Sequence, residues 1–92
     1  SFALARAYLD QLERSEGLTA ETIATARSEL ASAEAASPAE RREVLTALAA
    51  RLESAVDDSP DAAKVQLLVE AVRDLVDATP AKERLEGIGE GQ

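Results

Sequence analysis

The chain of 92 residues contains no cysteine, histidine, methionine or tryptophan, and its aromatic side chains are limited to Phe2 and Tyr8. Without cysteine there is no disulfide framework and no thiol chemistry. Without histidine there is no imidazole general base, no histidine metal ligand and no histidine-containing catalytic triad. The soft metal ligands and the usual haem ligands are missing as well. We therefore predict that the chain is not an enzyme and that it holds no metal and no cofactor.

Positive charge and long apolar runs are also scarce. Ten Lys and Arg residues stand against eighteen Asp and Glu residues, which gives a net charge of −8. Nucleic-acid binding needs a basic footprint, but only Arg41-Arg42 cluster, and Glu40 and Glu43 flank them. No apolar run approaches the ~20 residues that a membrane span needs. We expect protein partners, with a basic surface favoured electrostatically, and neither nucleic acid nor a membrane span; the simplest reason for the acidity is solubility.

Glycine occurs four times, and three of the four glycines lie in the segment Gly87-Ile88-Gly89-Glu90-Gly91. This segment neither follows a strand nor opens a helix, so it lacks the context of a dinucleotide-binding loop. We interpret residues 80–92 as a short turn that buries Leu85, followed by a Gly-rich tail or linker, and residues 1–79 as one domain. Because the chain also begins with Ser1, we expect it to be part of a longer protein.

Helix start and stop signals divide the domain into segments. Ser37-Pro38-Ala39-Glu40 has the pattern of a capping box with proline at the first helical position. Ser59-Pro60-Asp61 and Thr79-Pro80-Ala81 repeat that pattern, and Thr19 is a fourth candidate cap. Gly17 is predicted to end the first helix in the left-handed conformation.

Between these signals the apolar residues recur at the i, i+3, i+4, i+7 spacing of amphipathic helices. The spacing predicts four helices, over residues 2–16, 20–35, 38–56 and 60–78. Their short connections favour antiparallel neighbours, so the expected fold is all-α, an antiparallel up-down bundle of four helices or two packed helical hairpins. The second helix is the weakest, because its apolar stripe is mostly Ala, and three main helices plus a weaker one are an alternative. The predicted core consists of Phe2, Ala5, Leu9, Leu12, Ile23, Ala26, Leu30, Ala33, Leu45, Leu48, Leu52, Val56, Val65, Leu68, Val69, Val72, Leu75 and Val76.

Acidic residues gather at the predicted turn between the third and fourth helices. Asp57, Asp58 and Asp61 could form a loose site for a hard cation, since such ions take several oxygen ligands. The EF-hand spacing is absent, and a helix end followed by an acidic first turn explains the same residues. We favour this structural interpretation and leave open whether the turn binds a cation.

A few side chains beside the stripes give more specific expectations. Tyr8 is expected to cover the core, and Leu67 falls off the stripe of its helix, so it should be exposed or meet a neighbouring domain. Arg73 is expected to pair with Glu70 and Asp77 on its own helix, in the ordinary way of surface charges.

Two parts of the chain carry a family resemblance. The first is Ala3-Leu4, Tyr8-Leu9, Glu16-Gly17-Leu18-Thr19, Leu30 and Ala33-Glu34, and the second is Lys64-Val65, Leu68, Val72 and Leu75-Val76. Together they cover most of residues 2–78 and resemble FIMAH-type helical domains, which are small modules appended to secreted hydrolases and other extracellular bacterial proteins. The resemblance implies a non-catalytic accessory domain in an extracellular or cell-surface bacterial protein, and it transfers no site residues.

Three functions remain to be weighed. The first is a non-catalytic accessory or interaction domain that mediates domain packing or protein contacts within a larger protein. The second is a stand-alone acidic regulator that binds a basic protein or a partner helix, for which an exposed apolar patch at Leu4, Leu67 and Ile88 is expected. The third, an enzyme that uses only carboxylates and arginine, requires a deep pocket with two convergent acids. The oligomeric state stays open.

Overall fold

The computed structural model describes residues 1–79 and contains four helices. These are α1 (Phe2–Ser15), α2 (Ala20–Ala35), α3 (Pro38–Ala55) and α4 (Ala62–Ala78). The predicted all-α fold is therefore confirmed, and no strand occurs among residues 1–79. The predicted turn around Leu85 and the Gly-rich tail fall in residues 80–92, outside the described part of the chain.

The four helices form a closed antiparallel bundle. Each helix packs on its neighbour in the chain, and α4 returns to pack on α1. Side-chain contacts fix the antiparallel direction, because Arg6 near the start of α1 meets Glu34 near the end of α2. At the closing seam, Lys64 of α4 bonds to Gln11 of α1. The turn between α1 and α2 and the turn between α3 and α4 consequently lie at the same end of the bundle.

The core is built from the predicted helix faces. Leu48 and Leu68 are fully buried and Leu75 is 7% exposed, so all three point into the bundle as expected. Tyr8 and Val76 are partly buried and pack against this core. Seventeen apolar residues form the buried cluster: Ala5, Leu9, Leu12, Ile23, Ala26, Leu30, Ala33, Leu45, Leu48, Ala49, Leu52, Val65, Leu68, Val69, Ala71, Val72 and Leu75.

Two of the predicted N-terminal caps are confirmed. The Thr22 amide donates to Thr19 Oγ1 at 3.1 Å at the start of α2. The Glu40 amide donates to Ser37 Oγ at 3.4 Å at the start of α3, where Pro38 occupies the first helical position. Each cap satisfies a backbone donor that the helix itself leaves unpaired.

The predicted start of the fourth helix was wrong. The helix begins at Ala62 rather than Pro60, and its N-cap residue Asp61 makes no side-chain cap hydrogen bond. Ser59 Oγ accepts from the Asp61 amide at 2.9 Å and donates to the carbonyl of Gly17 at 2.5 Å. The Ser-Pro pair therefore shapes a turn that is tied to the other turn, and this long-range bond takes the place of the expected cap. Thr79, expected to cap a following helix, lies in the described residues as the C-cap of α4.

The stop signal of α1 was displaced by one residue. Glu16, not Gly17, takes the left-handed conformation, with φ of 58°. The Gly17 amide donates to the Leu12 carbonyl at 2.8 Å, which completes a Schellman-type ending. A Cβ atom on Gly17 would lie 2.5 Å from Leu12 Cδ2, so a larger residue here would have to displace the buried Leu12 side chain.

All five ion pairs among the described residues join helices that follow one another in the chain. Arg27 of α2 reaches Asp10 and Glu13 of α1, and Arg51 of α3 reaches Glu29 of α2. The expected pairing of Arg73 with Glu70 and Asp77 on its own helix was wrong. Arg73 instead bonds to Glu53 on α3 at 2.5 Å, because the antiparallel packing brings the two helices side by side.

Candidate interaction surfaces

The two adjacent arginines, Arg41 and Arg42, donate hydrogen bonds to backbone carbonyls at the ends of other helices. Arg41 donates to the carbonyls of Ala33 and Glu34, at 2.8 and 3.0 Å, at the end of α2. Arg42 donates to the carbonyls of Val76 and Thr79, at 3.0 and 3.3 Å, at the end of α4. Each guanidinium thus satisfies carbonyls at a different helix C-terminus, where positive charge is favourable.

Phe2 lies beside two of the arginines at this end of the bundle. The guanidinium carbon of Arg41 is 5.7 Å from the centre of the Phe2 ring, and that of Arg6 is 5.9 Å away. Both distances are within the range of a cation–π contact. Arg6 also bonds to Glu34 at 2.5 Å and lowers the pKa of that carboxyl. Arg6 and Arg41 therefore both make contacts within the domain that hold this end of the bundle together.

The seam between α1 and α4 differs from the other three seams of the bundle. The α1–α2, α2–α3 and α3–α4 seams each carry an Arg–carboxylate pair, whereas none joins α1 to α4 within residues 1–79. The polar links there are the bond from Lys64 Nζ to Gln11 Oε1 at 2.6 Å and the bond from Ser15 Oγ to Asp61 Oδ2 at 3.4 Å. This seam is therefore held by hydrogen bonds and apolar packing and has no ion pair within residues 1–79.

The two exposed large hydrophobic residues of the described chain lie on the rim of that seam. Leu4 is 46% exposed and Leu67 is 43% exposed. Leu4 and Tyr8 precede Gln11 by seven and three residues, so they share its side of α1. Leu67 follows Lys64 by three residues and shares its side of α4. We call Leu4, Tyr8 and Leu67 the α1–α4 face. The predicted exposure of Leu67 is confirmed, whereas Ile88 lies outside the described residues.

A groove of about 640 Å³ opens between the two turns at the opposite end of the molecule from Phe2. We call it the turn-end groove. Leu18, Ile23, Ala55 and Pro60 are its main apolar lining residues. Its carboxylates are Glu13, Glu16 and Asp58, and none of its twelve lining residues is Lys or Arg. The groove therefore combines apolar lining residues with three carboxylates.

The three carboxylates of the groove differ in their surroundings. Glu16 and Asp58 are exposed to solvent. The hydrogen bond and the charge of Arg27 lower the pKa of Glu13, which is the direction opposite to that needed for a general acid near neutral pH. The lowered pKa keeps Glu13 ionised at neutral pH.

The acidic turn does not gather metal ligands. Among residues 1–79, no group of three or more His, Cys, Asp or Glu side chains is placed to hold a metal ion, and this includes Asp57, Asp58 and Asp61. Asp61 accepts a hydrogen bond from Ser15 across the α1–α4 seam. None of the four helices of this part of the chain has an apolar stretch that could cross a membrane.

Sequence reasoning missed the groove, because it forms between two turns that are separated by some forty residues. Ser59 and Gly17 were both recognised in the sequence as residues at helix ends. The contact between them, however, depends on how the two helical hairpins pack. In comparisons with known proteins, no family model, no curated protein and no solved structure matches the chain. The resemblance to FIMAH-type domains therefore stays a prediction.

Proposed function

We propose that the chain is a non-catalytic accessory and interaction domain of a larger protein, and that its α1–α4 face packs against a neighbouring domain or a partner protein. The observation that carries this proposal is that Leu4 and Leu67, the two exposed large hydrophobic residues among residues 1–79, lie on the two helices whose seam has no ion pair in this part of the chain. Exposed leucines beside a seam without ion pairs gain free energy by burial when a partner covers them, and no ion pair has to be desolvated there.

The energetics favour contact at this face. Full burial of a leucine side chain contributes about 1.5–3 kcal/mol. Leu4 and Leu67 each keep nearly half of their surface exposed, so a covering partner would recover a share of that free energy. Tyr8, one turn after Leu4 on the same side of α1 and partly buried, adds an aromatic ring of the kind enriched at interfaces.

A second candidate is a stand-alone acidic regulator that binds a basic protein or a partner helix. The observation that favours it is the turn-end groove, which combines apolar lining residues with three carboxylates and has no basic lining residue. The two candidates use different surfaces of the bundle. The location of the residues that contact a partner therefore shows which candidate applies.

Site-specific photo-crosslinking in the natural full-length protein tests the first candidate. Benzoylphenylalanine at position 67 is expected to crosslink to a defined site on another domain or protein. The matched control is the same residue at position 47, since Ala47 is exposed on the outer side of α3. Crosslinking at position 67 but not at position 47 supports the proposal. Equal crosslinking at both positions, or none at position 67, contradicts it.

A further inference from the structure

The turn-end groove has walls that the fold itself holds in place. One wall is the turn that contains Gly17 and Leu18, and the other is the turn that contains Asp58, Ser59 and Pro60. The hydrogen bond from Ser59 Oγ to the Gly17 carbonyl joins the two turns directly. The groove is therefore preformed, which reduces the ordering cost of binding.

The charge around the groove is strongly one-sided. The segments 13–22 and 54–64, which form this end of the bundle, contain six carboxylates (Glu13, Glu16, Glu21, Asp57, Asp58 and Asp61) and two basic residues, Arg14 and Lys64, of which Lys64 bonds to Gln11. Arg27 reaches in from α2, but it bonds to Asp10 and Glu13. Glu16 and Asp58 take no part in the ion pairs found among residues 1–79. These two carboxylates are thus available for a cation from outside.

We infer that the turn-end groove binds a short basic segment of a partner protein. A single apolar side chain of that segment would enter between Leu18 and Pro60, and flanking Arg or Lys side chains would contact Glu16 and Asp58. Arginine suits this arrangement because its planar guanidinium matches a carboxylate with two parallel hydrogen bonds. The inference rests on the second candidate function and deepens it, since it names the chemistry of the partner segment and the residues that would contact it.

Charge complementarity selects this occupant over the alternatives. Nucleic acid and anionic membrane surfaces would be repelled by the carboxylates at this end of the bundle. A second copy of the chain carries the same net charge of −8 and would bring like charges together at an acidic end. A fully polar basic segment would leave the Leu18 and Pro60 surface uncovered, so the apolar side chain is part of the requirement.

Titration of unlabelled peptides into the isotope-labelled chain of residues 1–92 tests the inference. The probe has one leucine flanked on each side by two arginines. One control peptide replaces the four arginines with glutamine, and another replaces the leucine with serine. Chemical-shift mapping at low ionic strength is expected to place the probe at Gly17, Thr19, Asp58 and Ser59, with each control peptide bound at least roughly tenfold more weakly.

A charge-matched pair of variants separates the groove from general attraction to an acidic protein. Glu16→Gln with Asp58→Asn removes the two groove carboxylates that make no ion pair among residues 1–79, and Glu43→Gln with Asp77→Asn removes two exposed carboxylates at the other end of the bundle. We expect the first variant to weaken probe binding roughly tenfold and the second to change it less than about threefold. Neither substitution touches the core, and melting curves confirm that both variants are folded.

Three results would overturn the inference. These are an absence of binding, equal weakening by both variants, or shifts that map to the α1–α4 face instead of the turn-end groove. None of them bears on crosslinking at position 67, so the proposed function and this inference can fail separately.

Discussion

The hydroxyl of Ser59 donates a 2.5 Å hydrogen bond to the carbonyl of Gly17, and this bond connects the turn after α3 to the turn after α1. The same oxygen accepts from the amide of Asp61 at 2.9 Å. One half-buried side chain therefore satisfies backbone groups from two helical hairpins. The groove between these turns depends on that contact.

Ser59→Ala is expected to destabilise the domain by about 1–3 kcal/mol, because it leaves the Gly17 carbonyl and the Asp61 amide without this partner. Urea unfolding measures the loss. Ser54→Ala is the matched control, since the Ser54 hydroxyl is exposed and bonds only within its own helix, to the Ala50 carbonyl. An equal effect of the two substitutions would show that the link between the turns contributes nothing to stability.

The ending of α1 predicts opposite effects at two adjacent positions. Gly17→Ala places a Cβ atom 2.5 Å from Leu12 Cδ2, a fully buried side chain that cannot move freely, and should cost about 1–3 kcal/mol. Glu16→Gly relieves a left-handed conformation at a non-glycine residue and should stabilise the domain by about 1 kcal/mol. Thermal unfolding of the two variants checks both signs. Stabilisation by Gly17→Ala would contradict the packing role of Gly17.

These two turns also show where sequence reasoning succeeds and where it stops. Thr19 and Ser37 were identifiable as caps because an N-cap acts within three residues. The helix faces followed from spacing alone, down to the exposure of Leu67 beside the buried Leu68. Ser59 resembles the same cap locally, but its partner is forty-two residues away. The spacing of residues within one helix does not predict contacts that depend on how the hairpins pack. The groove, which depends on such a contact, could not be predicted for the same reason.

The adjacent pair Leu67 and Leu68 tests the assignment of the core. Leu68 is fully buried and Leu67 is 43% exposed, although both lie in the middle of α4. Leu68→Ala is expected to cost about 2–5 kcal/mol, and Leu75→Ala, also in the core, should fall in the same range. Leu67→Ala removes the same atoms with the same change in helix propensity and should stay within about 0.5–1 kcal/mol. Comparable losses at positions 67 and 68, measured by urea unfolding, would refute the orientation of α4.

The Arg6–Glu34 pair predicts a pH dependence of stability. Arg6 lowers the pKa of Glu34 below its ordinary value of 4.5, mainly through the hydrogen bond between them. A carboxyl whose pKa is lowered by folding stabilises the native state above pH 4.5, and this contribution disappears as the pH falls through the native-state pKa. The coupling between Arg6 and Glu34 should therefore be present at pH 7 and weaken progressively below pH 4.5.

A double-mutant cycle isolates this coupling from the other charges. Arg6→Gln, Glu34→Gln and the double variant are compared with the unmodified chain by urea unfolding at pH 7 and pH 3. Arg6→Gln and the double variant both lose the contact between Arg6 and Phe2. The loss of that contact therefore cancels when the cycle is evaluated. A coupling that persists undiminished at pH 3 would disprove the electrostatic origin of the pair.

Arg42 provides the last prediction, which concerns the end of α4. A positive charge near the N-terminus of a helix is unfavourable for that helix, and Arg42 lies near the N-terminus of α3. Its guanidinium, however, lies beside the C-terminus of α4, where a positive charge is favourable. The last turn of α4 has no basic residue of its own. The Arg42 guanidinium bonds to the carbonyls of Val76 and Thr79. Arg42→Gln is therefore expected to cost about 1.5–3 kcal/mol and to speed hydrogen exchange in the last turn of α4.

Arg73→Gln is the control for that substitution, because Arg73 makes an exposed pair with Glu53 and should contribute much less. Hydrogen exchange at the Thr79 amide, which bonds to the Leu75 and Val76 carbonyls, is the local readout. Faster exchange in Arg42→Gln but not in Arg73→Gln assigns the capping role to Arg42. If both variants exchange alike, the end of α4 is held by its own backbone and by the bond from Thr79 Oγ1 to the Leu75 carbonyl.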